Sequence, residues 1–323
     1  MPAPPSPAPA RISVVIPTHN TRELTLRCLE TVAPAEGVEG VEVVVVDDAS
    51  RDGTAEAISQ SWRQVTVVRH EQAAGFTRSA NDGLRQASGE ILLLLNSDTE
   101  VEPDGFTVLR EAFDRDPRLG AAGAALRYPD GSPQWSGGQA PSLLWLFALS
   151  SGLPTLLARL PFYRKAKPLA PPPSAAPVPL DWVTGAAMAI RREAWEEAGP
   201  LDEGFRFYAQ DLDLCLRLRR AGWKVEVLPA FRVLHHHGAT IGKEAGSRGH
   251  QHPELLWTDL LRWARKSQSP GWSRKAALAL RWGGILRLAG RALATPFLSA
   301  ARRPQWQAET AAFRRAVAAV RAL

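Results

Sequence analysis

The sequence has few cysteines and no long uncharged apolar run. Only Cys28 and Cys215 occur among its 323 residues, each within a helical pattern, so no disulfide framework or cysteine-based metal site is indicated. A reducing compartment is the simpler interpretation. No window of about 18 apolar residues is free of charge, and we therefore predict no transmembrane helix. Residues 1–10, rich in Pro and Ala, lack the features of a signal peptide, and we expect a disordered leader there.

Two common nucleotide-binding signatures are also missing. The glycine fingerprint of dinucleotide-binding folds does not follow the first predicted strand. Residues 238–243 have the wrong spacing for a phosphate-binding loop and are followed by Glu244. These absences disfavour both hydride transfer and ATP hydrolysis.

Charge is unevenly distributed along the chain. The formal net charge is +6, yet residues 253–323 contain thirteen Lys and Arg against three Asp and Glu, a balance of +10. The remainder of the chain therefore carries −4. An acidic body with a basic C-terminal region predicts that this region meets an anionic partner.

Strand and helix patterns alternate through the first hundred residues. Strand patterns cover residues 11–17, 41–46, 65–69 and 91–95, and helical patterns lie between them. This alternation predicts an α/β fold whose mostly parallel, Rossmann-like central sheet is flanked by helices. Because parallel strands end at the same edge of a sheet, we expect the polar residues that follow them to lie together. These are His19-Asn20, Asp47-Asp48 and Asn96-Ser97-Asp98.

The stretch from Ile91 to Glu100 combines a predicted buried strand with a polar end. Five aliphatic residues run directly into Asn96, Ser97 and Asp98. Asp98 supplies a hard oxygen of the kind that Mg²⁺ or Mn²⁺ takes when the cation also holds phosphates. The alternative is an ordinary turn, since Asn, Ser and Asp favour turns.

Asp211 stands at the start of a predicted helix, residues 211–221, that is apolar on nearly every face. Burial raises the pKa of a carboxyl group there, whereas a helix N-terminus lowers it. A carboxylate whose pKa is set by these two opposing effects is a candidate general base. The alternative is that Asp211 is a simple N-cap. Asp213 and Arg217 have the spacing of a structural ion pair.

A strand pattern over residues 233–237 ends in three successive histidines. In an extended chain His235 and His237 point to one side and His236 to the other. A histidine at a strand end beside a carboxylate is a reasonable additional metal ligand, although single histidines are more often structural.

Several motifs together resemble the inverting glycosyltransferases of family 2. They are VVIPTHN, VVVVDDASRDGT, GFTRSANDGL and ILLLLNSDTEVEPD, all within the first 104 residues. The later motifs VTGAAMAIRREAWEEAGPLDEGF, QDLDLCLRLRRAGW and LHHHG resemble the bacterial rhamnosyltransferase-like branch. The resemblance, which covers residues 12–240, implies a GT-A fold and transfer of a sugar from a nucleotide-diphosphate donor to an acceptor hydroxyl, with Mg²⁺ or Mn²⁺.

The resemblance also assigns roles to individual residues. It implies Asp211 as catalytic base, Asp98 and His235 as metal ligands, and Asp47 as the carboxylate beside a uracil or thymine base. The sequence departs from the family pattern at Asn96, where the first Asp of the metal motif is expected, and at Gln210, where Glu is expected. The donor-binding residues implied by position are Pro17, Thr18, Asn20, Asp47, Asp48, Ser50, Arg78, Asn81, Gly83, Asn96, Ser97 and Asp98.

We predict a catalytic domain over residues 11–245, with an acceptor-side insert at 127–180, and a basic amphipathic helical region over 246–323. Tryptophans and arginines alternate in that region, which favours attachment to an anionic membrane surface. The alternative is a helical extension that packs on the catalytic domain. Trp257, Leu260, Leu261, Trp263, Trp282, Ile285, Leu286 and Leu288 are its apolar residues.

The sequence thus predicts a metal-dependent inverting glycosyltransferase of cell-surface polysaccharide synthesis, peripheral at the cytoplasmic face of the cell membrane. The resemblance implies a lipid-linked glycan acceptor, and the branch suggests thymidine-diphosphate rhamnose as donor. No nucleic-acid partner is expected, because no binding module is visible. One alternative is a sugar nucleotidyltransferase, but only Arg22 lies near the first strand to hold a triphosphate. The other is a non-catalytic nucleotide-sugar scaffold, favoured only by Gln210.

Overall fold

A mixed, mostly parallel sheet carries the residues singled out above. The computed structural model describes residues 11–33, 40–153, 176–236 and 252–322. Its strands are β1 (Ile12–Thr18), β2 (Val41–Asp47), β3 (Thr66–Arg69), β4 (Ile91–Leu95), β5 (Thr99–Val101), β6 (Leu119–Arg127), β7 (Gly137–Gly138), β8 (Val178–Pro179), β9 (Trp182–Val183), β10 (Ala187–Arg191) and β11 (Lys224–His235). Its α-helices are α1 (Arg22–Val32), α2 (Thr54–Ser61), α3 (Phe76–Gln86), α4 (Gly105–Arg115), α5 (Leu143–Ser151), α6 (Arg192–Ala198), α7 (Gln210–Arg220), α8 (Pro253–Ser267), α9 (Pro270–Ala294) and α10 (Arg303–Ala322).

The main sheet confirms the predicted α/β class. Its strand order is β3-β2-β1-β4-β10-β6-β11-β5. Strands β1 to β4 run parallel, whereas β10 pairs antiparallel with both β4 and β6. The polar residues after β1, β2 and β4 therefore lie at one edge of the sheet, as predicted from their positions in the sequence.

Strand β4 is buried along its whole length, which agrees with its unbroken aliphatic sequence. Helix α3 covers the sheet beside it and approaches closely at Gly83. A Cβ atom there would lie 2.4 Å from Val15 Cγ1 and 3.0 Å from Val46 Cγ2. Only glycine allows this distance between helix and sheet.

Two elements differ from the sequence prediction. Strand β6 was not predicted, because its Ala-rich and Gly-containing sequence has low strand propensity. Its small residues are required by close neighbours, since a Cβ at Gly123 would lie 2.6 Å from Val183 Cβ. Residues 233–237 were predicted as a strand of their own, yet β11 begins nine residues earlier and runs from Lys224 to His235. Its pairing with β6 shifts register between Leu228 and Arg232.

The chain divides into two units. Among the described residues, one comprises 11–139, 176–203 and 210–236, and the other 140–153, 204–209 and 252–322. The second unit thus combines part of the predicted insert, a short central segment and the C-terminal helices. The predicted leader, residues 154–175 of the insert and residues 246–251 lie outside the described residues.

The second unit has a core of its own. Trp257 and Trp263 on α8 are almost completely buried. The carboxylate of Asp259 accepts backbone N–H groups of Phe207 at 3.0 Å and Tyr208 at 2.9 Å. A third backbone N–H, that of Arg206, lies 3.4 Å from it. This carboxylate therefore fixes segment 204–209 through its main chain.

The described helices and the two cysteines bear on the expectations drawn from composition. None of the described helices combines the length and the apolarity needed to cross a membrane. Cys28 and Cys215 are buried free thiols, and burial raises the pKa of each to about 12. Neither thiol is set up as a nucleophile at neutral pH.

Helix α9 crosses α5 at Gly283, which predicts a steric limit. A Cβ there would lie 2.7 Å from the carbonyl oxygen of Phe147 and 3.0 Å from the Ser151 nitrogen, both backbone atoms. We expect Gly283→Ala to lower the free energy of unfolding by about 1–3 kcal/mol, measured by urea denaturation. Gly290→Ala on the same helix is the control: no described atom lies within 4 Å of its Cβ. It should raise stability by up to about 1 kcal/mol, and equal losses in both variants would contradict the close approach.

Candidate active site

Asp47 ends β2 and is completely buried. Its Oδ1 accepts the N–H of Ser50 at 3.2 Å. Its Oδ2 accepts no hydrogen bond from the described residues and lies 3.6 Å from Nε of Arg69. Because a buried carboxylate oxygen without a donor is costly, Oδ2 is well suited to accept a hydrogen bond from a ligand.

The loops that follow β1 and β2 are joined by hydrogen bonds. Asn20 has a left-handed backbone, with φ of 52°, and its N–H donates to Ser50 Oγ at 2.9 Å. In return, the N–H of Arg51 donates to Asn20 Oδ1 at 2.8 Å. Asn and Asp tolerate this backbone region better than other non-glycine residues. The loop after β1 is therefore held against the loop after β2.

Hydroxyl groups extend this connection to β4. Thr18 Oγ1 lies 2.9 Å from Thr21 Oγ1, which in turn lies 3.0 Å from Ser97 Oγ. All three side chains are buried. Pro17 precedes them within β1, where it pairs with Val46 of β2. The residues predicted after β1, β2 and β4 thus form one connected cluster.

Asp48 organises a neighbouring loop. Its carboxylate accepts the N–H groups of Ala74 at 2.7 Å and Gly75 at 2.9 Å, and lies 2.8 Å from His70 Nδ1. Burial on its own would raise the pKa of Asp48, but these donors outweigh burial and hold the pKa below its ordinary value of 3.8. Asp48 therefore fixes the chain that leads into α3.

Asp98 and His235 meet at the end of β4. Asp98 is 1% exposed, and its Oδ1 lies 3.3 Å from His235 Nε2. Asn96 Nδ2 lies 3.5 Å from the same nitrogen. The second histidine, His236, turns the other way and lies 2.7 Å from Glu100 Oε1. His237 lies outside the described residues.

Gln134 sets the orientation of the His235 ring. Its Nε2 donates to the backbone oxygen of His235 at 2.5 Å, and its Oε1 lies 3.0 Å from His235 Nδ1. Since Oε1 can only accept, Nδ1 carries a proton, and Nε2 is the ring nitrogen that faces Asp98, 3.3 Å from its Oδ1. A cation bound here would contact both Nε2 and the Asp98 carboxylate.

Few side chains that could bind a metal ion lie beside Asp98 and His235 in the described part of the chain. Among the described residues, no cluster of three or more His, Cys, Asp and Glu side chains is suited to a metal ion. A carboxylate and an imidazole nitrogen match the preferences of Mn²⁺, and Mg²⁺ accepts one or two carboxylates when phosphates and water complete its shell. Asp98 and His235 therefore fit a cation held jointly with a diphosphate.

Asp211 lies in the first turn of α7. Its Oδ2 accepts the N–H of Gly185 at 2.9 Å, and its Oδ1 accepts the N–H of Leu212 at 2.8 Å. Burial raises the pKa of Asp211, and these N–H donors only partly offset it. Asp213 instead pairs with Arg217 at 2.9 Å, which confirms the structural ion pair expected from their spacing.

Residues 185 and 186 connect the carboxylate of Asp211 to the turn that carries Asp98. The N–H of Gly185 donates to Asp211, and the carbonyl oxygen of Ala186 accepts the N–H of Asn96 at 3.0 Å. Two adjacent residues thus join the start of α7 to the polar turn after β4. Asp211 and Asp98 consequently border one region of the same sheet edge.

The predicted residues of α3 make other contacts. Asn81 is buried and bonds both backbone polar groups of Leu201, each at 2.9 Å. Arg78 is half exposed and pairs with Asp82 at 3.2 Å. Gly83 provides the close contact with the sheet. Their donor-binding roles stay predictions.

Sequence reasoning missed Gln134 and His70. Gln134 lies about a hundred residues before its partner His235, within the predicted acceptor-side insert, and no local pattern marks it. Gln210, the departure noted in the sequence, is buried, and its Oε1 has no hydrogen-bond partner among the described residues. That oxygen lies next to Asp211 in the chain and can accept a ligand hydroxyl.

Comparison with known proteins identifies the relatives of this chain. Residues 13–171 match the model of glycosyl transferase family 2, and residues 173–307 match that of glycosyl transferase family group 2. An N-acetylglucosaminyl-diphospho-decaprenol L-rhamnosyltransferase of Mycobacterium tuberculosis is 30% identical over 255 residues, 75% of this chain and 82% of that protein. Rhamnosyltransferase WbbL of Escherichia coli is 29% identical over 102 residues, 32% of this chain and 34% of that protein.

Solved structures support the fold. GalNAc-T7 with UDP, GalNAc and Mn²⁺ superposes with a TM-score of 0.57 at 18% identity, covering 94% of this chain and 55% of that one. The mannosyltransferase PcManGT of Pyrobaculum calidifontis, in complex with GDP-Man and Mn²⁺, gives a TM-score of 0.55 at 19% identity. The superposition covers 98% of this chain and 89% of the mannosyltransferase chain. Both likenesses confirm the predicted GT-A architecture.

The lowered pKa of Asp48 predicts a pH-dependent contribution to stability. Its folded-state pKa lies below 3.8, so its stabilisation is complete above pH 3.8 and is lost as the pH falls through the folded-state pKa. Asp48→Asn should cost about 1–3 kcal/mol at neutral pH, because an amide N–H₂ would face N–H donors. Urea denaturation at several pH values should show the cost shrinking in acid. Glu71→Gln, an exposed change in the same loop, should have little effect at any pH.

Proposed function

Since the chain belongs to glycosyl transferase family 2, we propose that it transfers a sugar, with inversion, from a nucleoside diphosphate to a hydroxyl of a lipid-linked glycan. The observation that carries this proposal is the link made by residues 185 and 186. It brings a carboxylate suited to proton abstraction to the same sheet edge as a carboxylate suited to a cation.

The nucleoside would bind at the loops after β1 and β2. Asp47 Oδ2, buried and without a donor among the described residues, would accept the N3–H of a uracil or thymine ring. Cytosine has no N–H at this position, so the contact selects between pyrimidines. Thymidine-diphosphate rhamnose is the proposed donor, because two relatives are rhamnosyltransferases.

Asp98 and His235 would hold a divalent cation, Mg²⁺ or Mn²⁺, together with the donor diphosphate. When bound, such a cation neutralises the charge that develops on the leaving diphosphate. Gln134 keeps Nε2 of His235 directed toward Asp98. Both structural neighbours named above were solved with Mn²⁺.

Asp211 would act as the general base. Its raised pKa makes it a better proton acceptor than an ordinary carboxylate. As the acceptor hydroxyl attacks the anomeric carbon, its proton passes to Asp211 and the bond to the diphosphate breaks on the opposite face. A single displacement of this kind inverts the anomeric configuration.

The acceptor is proposed to be a saccharide on a polyprenyl diphosphate, because the Mycobacterium tuberculosis relative is an N-acetylglucosaminyl-diphospho-decaprenol L-rhamnosyltransferase. An acceptor of this type resides in a membrane. We place the enzyme at the cytoplasmic face of the cell membrane, attached through its basic C-terminal region to anionic lipid. Exposed Trp282 and Leu286 on α9 support this attachment.

Asp211→Asn tests the base. We expect kcat to fall by a factor of about 10²–10⁴ while donor binding is retained. In the unsubstituted enzyme, kcat/KM should fall on acidification through a pKa above 3.8, and the variant should lose this limb. Asp213→Asn, on the same helix, should leave the limb in place. A scaffold without activity would bind donor and show no turnover in any of these proteins with a polyprenyl-diphosphate acceptor.

Gln134→Leu tests the arrangement around His235. Losing the partner of Nδ1 should raise the Mn²⁺ concentration needed for donor binding by about 10–100-fold, measured by calorimetry. Chelator should abolish the metal-dependent part of binding. His236→Ala is the matched control, because His236 contacts Glu100 instead of Asp98. Equal effects of the two variants would exclude a specific role for His235.

A further inference from the structure

A groove lined by arginines lies on the second unit. It has a volume of about 590 Å³ and is formed by residues of α8, α9 and α10. Arg265, Arg274, Arg281 and Arg321 line it, and no Asp or Glu is among its described lining residues. Because four positively charged side chains line one groove, the groove favours an anion.

The chemistry of the groove suits a phosphate group. A guanidinium presents planar pairs of N–H donors that match the spacing of phosphate oxygens. The same groove has apolar walls, including Ala277 and Leu278 of α9 and Val320 of α10. A ligand that combines phosphate with hydrocarbon would use both kinds of surface.

An apolar strip on α9 continues from the groove. Leu278 lines the groove and is 50% exposed, and Trp282 one turn later is 58% exposed. Ile285 and Leu293 are also exposed, at positions seven and fifteen residues after Leu278, and therefore lie on the same helix face. Helix α9 contains five Lys and Arg and no Asp or Glu. Such a strip beside basic side chains is typical of helices that lie in a membrane interface.

We infer that the groove binds the phosphate of an anionic phospholipid head group while the α9 strip lies among the adjoining acyl chains. This inference rests on the proposed membrane location and adds a specific site to it. A soluble phosphate or nucleotide would satisfy the arginines but leave Leu278 and Trp282 in water. The lipid is therefore the better match to the whole surface.

The full-length chain would be mixed with vesicles of phosphatidylcholine, with and without phosphatidylglycerol, and binding measured by flotation. Removing two charges from the groove, in Arg274→Gln with Arg281→Gln, should weaken binding to the anionic vesicles on the order of thirtyfold. The matched control, Lys275→Gln with Arg302→Gln, removes two exposed charges that do not line the groove. It should weaken binding by no more than about threefold, since exposed charges are screened by salt. Equal losses in both double variants would mean that charge alone attracts the chain, and would overturn the site.

Two further experiments distinguish a phospholipid site from a site for a soluble anion. Leu278→Gln with Trp282→Gln should also release the chain from anionic vesicles, whereas a site for soluble anions would be unaffected. Inorganic phosphate at constant ionic strength should not displace the chain from vesicles, and displacement would assign the groove to a soluble anion. Binding of the sugar nucleotide should be the same in the groove variant as in the unsubstituted chain, because no groove residue belongs to the donor site. Loss of donor binding in every protein would instead refute the proposed function.

Discussion

The candidate site depends on the backbone of two adjacent residues, Gly185 and Ala186. One donates an N–H to Asp211 and the other accepts an N–H from Asn96. These groups precede β10, the antiparallel strand inserted between β4 and β6. Because residues 185 and 186 contribute main-chain groups, replacing the side chains at these two positions cannot remove the contacts directly. The position of the proposed base relative to the turn after β4 is consequently a property of the sheet itself.

The sequence predicted the parallel half of the sheet well, because runs such as residues 91–95 contain only aliphatic residues. Asp47, Asp98 and Asp211 could be chosen as candidates because each lies at or just beyond the end of a strand or begins a helix, and their roles stay predictions. Strand β6 was missed, since its Ala and Gly residues are selected by close packing against Val183 and Trp223 and carry no strand signal of their own. Gln134 was missed for a related reason: its contact with His235 joins distant parts of the chain, and one sequence without three-dimensional information cannot reveal such a pair.

The C-terminal residues that looked alike in sequence divide into two groups in the structure. Trp257, Leu260, Leu261 and Trp263 are buried in the core of the second unit. Trp282, Ile285 and Leu286 remain exposed. Some of the arginines are also engaged within the second unit. Arg287 stacks on Phe313 and Arg291 on Trp306. Burial lowers the pKa of Arg287 to about 10. A count of basic and aromatic residues therefore overstates the surface available to a membrane.

Asp259 bears on how this chain can be shortened. Its carboxylate, on α8, faces the backbone N–H groups of residues 206–208, about fifty positions earlier in the chain. A truncation before α8 would leave those N–H groups without their acceptor, at a cost of about 1–3 kcal/mol for each group that stays buried. Segment 204–209 ends at Ala209, whose backbone is left-handed with φ of 64°, immediately before α7. The smallest autonomous form of the enzyme therefore extends well beyond the last strand, and an expression boundary drawn from the sheet alone would be misplaced.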